Sequence, residues 1–170
     1  MALAARGNVD SALAVAATIR AAFDKLAPPW EIFNGALVGI LSRDRVHAVA
    51  ARLLAGRKPS VAYALPWWSF TGDTAALKTA VRVFSRSIPG RVTQAAAAAL
   101  ALGASEAPAF LALARHDSAS ALRELAMIPD SLCVDADCDA ATLTQAQLLA
   151  AAGRQGEALR ILPPRNALFG

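Results

Sequence analysis

Aromatic side chains are scarce in this 170-residue chain, at 6% of the sequence, and charged ones make up 18%. Apolar types nevertheless account for 56%, much of it alanine, so the core must be built from small residues in closely packed helices and not from the bulky β-branched pairs of a sheet sandwich. Only two cysteines and two histidines occur, and His47 and His116 lie far apart with no ligand spacing to Cys133 or Cys138. A structural zinc site needs four such ligands, so none is expected, and no cofactor is implied. No Gly-x-Ser-x-Gly elbow is present, and the carboxylates gather at helix starts and in the cysteine loop, where capping explains them. Catalysis is therefore not expected. The longest apolar run, Ala95 to Ala114, is broken by Ser105, Glu106 and Pro108, whereas a spanning helix needs about 20 predominantly apolar residues. No membrane span is expected, and the N-terminus has no basic region ahead of an apolar core to mark a secretory signal.

A recurring unit stands out against these absences. Phe110 to Leu125 and Thr144 to Leu162 align when His116 is set over Gly153. Ala109 and Ala146 then stand seven residues before the turn, Ala121 and Ala158 five after it, and Leu125 and Leu162 nine after it. A small residue on each of two antiparallel helices allows a close approach, and the later large residue fills the groove towards the next pair. The alignment also assigns His116 the turn position that glycine fills in the second copy.

Upstream the pattern is looser. Gly7 marks a turn before a helix from about Val9 to Lys25, which Pro28 and Pro29 stop. A second pair is expected over 31–41 and 44–54 around a turn at Arg43, with Ala36 and Ala48 as its small residues. Pro66 should kink or shorten the helix that carries Trp67, Trp68 and Phe70, and Thr71 to Thr74 should form a turn and cap for a helix reaching about Ser87. Along that helix Lys78, Arg82 and Arg86 form one stripe, opposite Leu77, Ala80, Val81 and Phe84. Turns at Gly7, Arg43, Gly72, His116 and Gly153 are 36, 29, 44 and 37 residues apart. The long interval is assigned to an additional helix, Arg91 to Leu102, before a break at Pro108.

The small, small, large code at this period resembles the tetratricopeptide repeat, whose standard length is about 34 residues. The loop Ile128-Pro-Asp-Ser-Leu-Cys133 followed by Leu143-Thr-Gln-Ala-Gln-Leu-Leu-Ala-Ala-Ala-Gly153 is similar to the repeat regions C-terminal to the kinase domain of some bacterial serine/threonine protein kinases. No kinase signature is present, so the resemblance implies a docking or regulatory region and no catalytic role. The expected fold is all-α: a right-handed α-solenoid of antiparallel helix pairs over 1–170, with approximate pairs 1–26, 30–56, 60–88, 91–128 and 139–163. The chain is expected to be a cytoplasmic piece of a larger protein. The implied function is a scaffold binding a protein or peptide as part of a bacterial signalling protein. A helical module sensing a small molecule is the rival, and nucleic-acid binding is a third reading. That third reading rests on the 43–91 segment, where nine basic residues face two acidic ones for +7, leaving −3 for the rest.

Trp30, Phe33, Trp67, Trp68 and Phe70 fall on first helices of their pairs, which in such a solenoid line the concave face, and they form the candidate binding surface. At least one of Trp67 and Trp68 is expected to be exposed beside Pro66. Cys133 and Cys138 are close enough in sequence for a local disulfide, but a reducing cytoplasm favours free thiols. Asp135, Asp137 and Asp139 mimic the start of a calcium loop, yet Ala140 and Ala146 stand where glycine and glutamate are required.

Overall fold

The computed structural model describes residues 32–33, 42–56, 59–85, 94–133 and 138–162. All secondary structure among them is helical, with seven α-helices and no strand. The chain divides into two compact units, Met1–Arg52 and Leu53–Gly170. The expected helices over 9–25 and 31–41, with Gly7, Trp30 and Ala36, lie outside the described residues, apart from Ile32 and Phe33. The break at 88–90 also lies outside them.

Helix α1 (Arg43–Gly56) begins after Ser42, whose carbonyl accepts the amide of Val46 at 3.2 Å, and Asp44 places a negative charge in the first turn, where the helix dipole favours it. Val46 and Ala50, one turn apart, are buried, whereas Ala48 points to solvent. The expected register is therefore two residues out: Arg43 is the first helical residue and not the turn, and the inward positions are Val46 and Ala50. A left-handed turn would strain arginine, whereas the first position of a helix does not, so the backbone preference of Arg43 favoured the observed place.

In the second unit a 3-10 run, Pro59–Ala64, leads into the short helix α2 (Leu65–Thr71). Pro66 sits in its first turn, where the missing amide costs nothing, so proline shortens the helix by setting its start. Gly72 then turns the chain with φ 71°, and Asp73 caps α3 (Thr74–Phe84) by accepting the amide of Ala76 at 2.9 Å. Leu77, Ala80 and Phe84 face inward, with Lys78 and Arg82 outward, as expected, but Val83 and not the half-buried Val81 completes the buried face, and Arg86 lies outside the described residues.

The same turn recurs twice. His116 has φ 61° and Gly153 φ 78°. At each of the three sites the left-handed residue donates its amide to a carbonyl three residues back, and the next residue donates to one five back. These bonds are Gly72 to Ser69 and Asp73 to Trp68 (3.1 and 2.8 Å), His116 to Leu113 and Asp117 to Ala112 (2.8 and 3.0 Å), and Gly153 to Ala150 and Arg154 to Leu149 (3.0 and 2.8 Å). The alignment of His116 with Gly153 is thus a backbone equivalence.

Helix α4 (Gln94–Leu113) runs unbroken for 20 residues with Pro108 inside it, contrary to the expected end at Leu102 and break near Pro108. Proline there removes one backbone hydrogen bond and crowds the preceding turn, a cost of about 3 kcal/mol. Burial offsets it, because Leu102, Gly103, Ala107, Ala109 and Phe110 are all enclosed and α4 packs against the 3-10 run, α2, α3 and α5. Phe84 lies across Gly103 so closely that an added Cβ would come within 2.6 Å of its ring. The 44-residue interval between turns now has a simple origin. Helix α4 is seven residues longer than its counterpart α6 (Asp139–Ala151, 13 residues), and seven residues are two helical turns, which restores the same packing face. By length and composition α4 also meets the requirement for a membrane span, as core helices of soluble proteins do; a third of its apolar window is buried inside the protein, and Glu106 lies within it.

Asp117 caps α5 (Ser118–Ala126) through the amide of Ser120 at 3.0 Å, and α7 (Gln155–Ile161) follows the third turn. Between α5 and α6 lies a second 3-10 turn, Asp130–Leu132. Cys133 and Cys138 are joined by a disulfide with their Cα atoms 5.1 Å apart, so the expectation of free thiols is overturned. It rested on an assumed compartment, whereas Cys133 closes the 3-10 turn and Cys138 precedes α6, and the two meet there. The small residues of the repeat code are in the core: Ala109 clusters with Leu125 and Ala141, and Ala146 with Leu149 and Ala158.

Candidate interaction groove

Of the four described residues of the expected aromatic surface, one is exposed. Trp30 lies outside the described residues, and Phe33, in the first unit, is 2% exposed. Trp67 and Trp68 are each 1% exposed, which overturns the expectation that one of them faces solvent. Helix α2 has neighbours on several sides, the 3-10 run, α3 and α4, so consecutive residues on it can all be enclosed. The indole N–H of Trp67 is buried without an acceptor, a cost of about 1–3 kcal/mol that the burial of the ring offsets. Phe70 is 59% exposed, its ring braced against that of Trp67 at 6.1 Å between centroids. Within the second unit, then, Phe70 is the one ring of this expected surface that faces solvent.

A different place has the shape of one. Helices α5 and α7 each pack on α6 but not substantially on each other, and the space between them is a groove of about 460 Å³. One wall is the face of α5 bearing Ala119, Leu122, Arg123 and Ala126, spaced i, i+3, i+4 and i+7. The other is the start and inner face of α7, with Arg154, Glu157, Arg160 and Ile161, and the floor is Gln145 and Leu149 of α6. Leu149 belongs to the cluster with Ala146 and Ala158, on which Leu122 and Ile161 also rest, so the floor is continuous with the core.

Charge on the walls is unevenly matched. Arg154 grips Glu157 in a fork, Nε to Oε1 and Nη2 to Oε2, both 2.7 Å. Hydrogen bonding from Arg154 holds the Glu157 carboxyl below its usual pKa, and the same contact raises that of Arg154. Arg123 donates through Nη2 to the neutral Ser120 Oγ at 2.9 Å, and Arg160 through Nε to the neutral carbonyl of Gly156 at 3.2 Å. These bonds lay each guanidinium along its wall. On the outer side of α5, hydrogen bonds from Ser120 lower the pKa of Asp117, with a smaller contribution from the charge of Arg123.

Three arginines and one glutamate therefore line an apolar floor. No nucleophile or paired carboxylate is among the lining residues, and among the described residues no group of three or more His, Cys, Asp or Glu is placed to hold a metal ion. Sequence reasoning missed the groove because its arginines lie in the part of the chain whose net charge is negative. The available signal was the i, i+3, i+4, i+7 face of α5, which carries an arginine within an otherwise apolar stripe. No family model, no curated protein and no solved structure matches this chain.

Proposed function

We propose that this chain is a helical-repeat scaffold, a right-handed solenoid of antiparallel pairs, that binds a protein or peptide segment in the groove between α5 and α7. The repeat reading is supported by three turns with the same backbone hydrogen bonds and by packing that runs mainly between neighbours in chain order, the behaviour of a quasi-one-dimensional fold. Membership of a larger bacterial signalling protein rests on the resemblance of 110–162 to kinase-associated repeats.

The observation that carries the binding reading is the groove with a core-like floor and exposed walls. Its volume falls in the range of small-ligand pockets, about 300–1,000 Å³, but such pockets enclose most of their ligand. Here Ala119, Arg123, Ala126, Arg154 and Arg160 are all exposed, so the groove is open along its length and suits a segment laid into it. Nucleic-acid binding finds less support, since Arg82, on the basic stripe of α3, is turned back onto Lys78 O and Thr79 Oγ.

Selection of a random peptide library against the folded protein tests the reading, with counter-selection against an Ala119→Trp/Ala126→Trp variant whose indoles fill the groove. A consensus with apolar residues at helical spacing that is lost in the variant is expected. Peptides that bind wild type and variant alike would place the interaction elsewhere.

A further inference from the structure

Resting on that groove reading, we infer that the partner is an acidic amphipathic helix, with an apolar stripe facing Leu122, Leu149 and Ile161 and carboxylates on both flanks. Both oxygens of Glu157 are taken by Arg154, so the one acidic residue in the lining is already neutralised. The remaining charges are Arg123 on the α5 wall and Arg160 on the α7 wall. Neither forms a contact ion pair among the described residues: each is held by a neutral oxygen of its own helix, and the charge of Arg123 reaches Asp117, and that of Arg160 reaches Glu157, only as a smaller contribution beside the hydrogen bonds those carboxylates accept. With three arginines against one glutamate the lining keeps a net positive charge over an apolar floor, which favours a bound segment carrying carboxylates. A helix entering the groove with glutamates flanking its apolar stripe supplies one carboxylate to each wall, and Arg binds a carboxylate through two parallel hydrogen bonds.

The backbone requirement points the same way. No strand exists among the described residues, so this unit offers no sheet edge on which an extended peptide could satisfy its amides. A helix satisfies its own backbone and needs only a groove and anchors at i, i+3 or i+4 and i+7. The walls repeat the same geometry, since Ala119, Leu122, Arg123 and Ala126 form one helical face. Nucleic acid would demand a longer run of cations than the three arginines of the lining, because its affinity is built from many phosphate contacts.

The probes are three fluorescein-labelled model helices of about fourteen residues with the same leucine stripe, flanked by glutamate, by glutamine or by lysine. Anisotropy titrations against the full chain are made at about 50 mM and about 300 mM salt, which shortens the Debye length from about 14 to about 6 Å. The glutamate peptide should bind about tenfold more tightly than the glutamine peptide and the lysine peptide more weakly still, with the preference shrinking at higher salt. Arg123→Glu and Arg160→Glu should each weaken the glutamate peptide about fivefold, and the double variant should favour the lysine peptide. Both side chains are exposed, so the variants should keep the wild-type melting temperature. Equal binding of all three peptides overturns the acidic preference and leaves the groove reading standing. Binding of none of them also overturns it, while the library selection decides the groove reading independently.

Discussion

His116 stands where the other two turns carry glycine, and its replacement by glycine should stabilise the protein. The residue has φ 61°, in the left-handed region that costs an ordinary L-residue about 1–2 kcal/mol, although histidine is among the residues that enter it more readily. Glycine removes that cost and returns about 0.4–1 kcal/mol to the unfolded chain as extra freedom. The net expectation is a gain of about 0.5–1 kcal/mol, and its side chain is exposed, so no packing is lost. The mirror experiment is Gly153→Ala. A Cβ there meets nothing within 4 Å, so the substitution isolates backbone conformation from sterics and should cost about 1 kcal/mol. At about 2–4 °C per kcal/mol for a chain of this size, His116→Gly should raise the melting temperature by about 1–4 °C and Gly153→Ala should lower it by about as much. Urea titration followed by circular dichroism gives the free energies directly, and the double variant should be additive because the turns share no partners. A destabilised His116→Gly, or a neutral Gly153→Ala, would refute the equivalence of the two turns and with it the repeat register.

Gly103→Ala gains about 1 kcal/mol in helix propensity but drives a methyl group into the buried Phe84 ring, at a cost of about 1–3 kcal/mol; thermal melts should show net destabilisation, relieved by Phe84→Leu. Removing the Cys133–Cys138 bond as a double serine variant releases a closed loop of about six residues, worth about 2 kcal/mol by loop entropy, and an unchanged melting temperature after reduction would count against the bond. The carboxyl of Asp117 has a lowered pKa through hydrogen bonds from Ser120, so its contribution is complete above the ordinary carboxylate value near 4 and disappears as pH falls below it. Asp117→Asn, which can cap but does not titrate, should flatten that part of the melting temperature against pH profile, and an unaltered slope would exclude the cap as its source.

Features confined to a few residues were legible in the chain itself. Turns at Gly72, His116 and Gly153 are set by which residue tolerates a positive φ, and Asp73 and Asp117 announce the helices they cap because their oxygens reach amides only three residues on. The burial of Ala109, Ala121, Ala146 and Ala158 followed from the same register, since all four lie at fixed offsets from a turn. What was misread depends on neighbours remote in sequence. Pro108 ends a helix in isolation but not one packed against five other elements, and Trp67 and Trp68 are buried because α3 and α4 close over α2. Arg43 is the exception, since its own backbone preference already favoured the start of a helix over a left-handed turn, and the inward placement of Val46 agrees. The groove belongs wholly to tertiary structure: its lining runs from Ala119 to Ile161, and it exists because α5 and α7 lean on α6 without meeting, a separation that no local spacing of residues encodes.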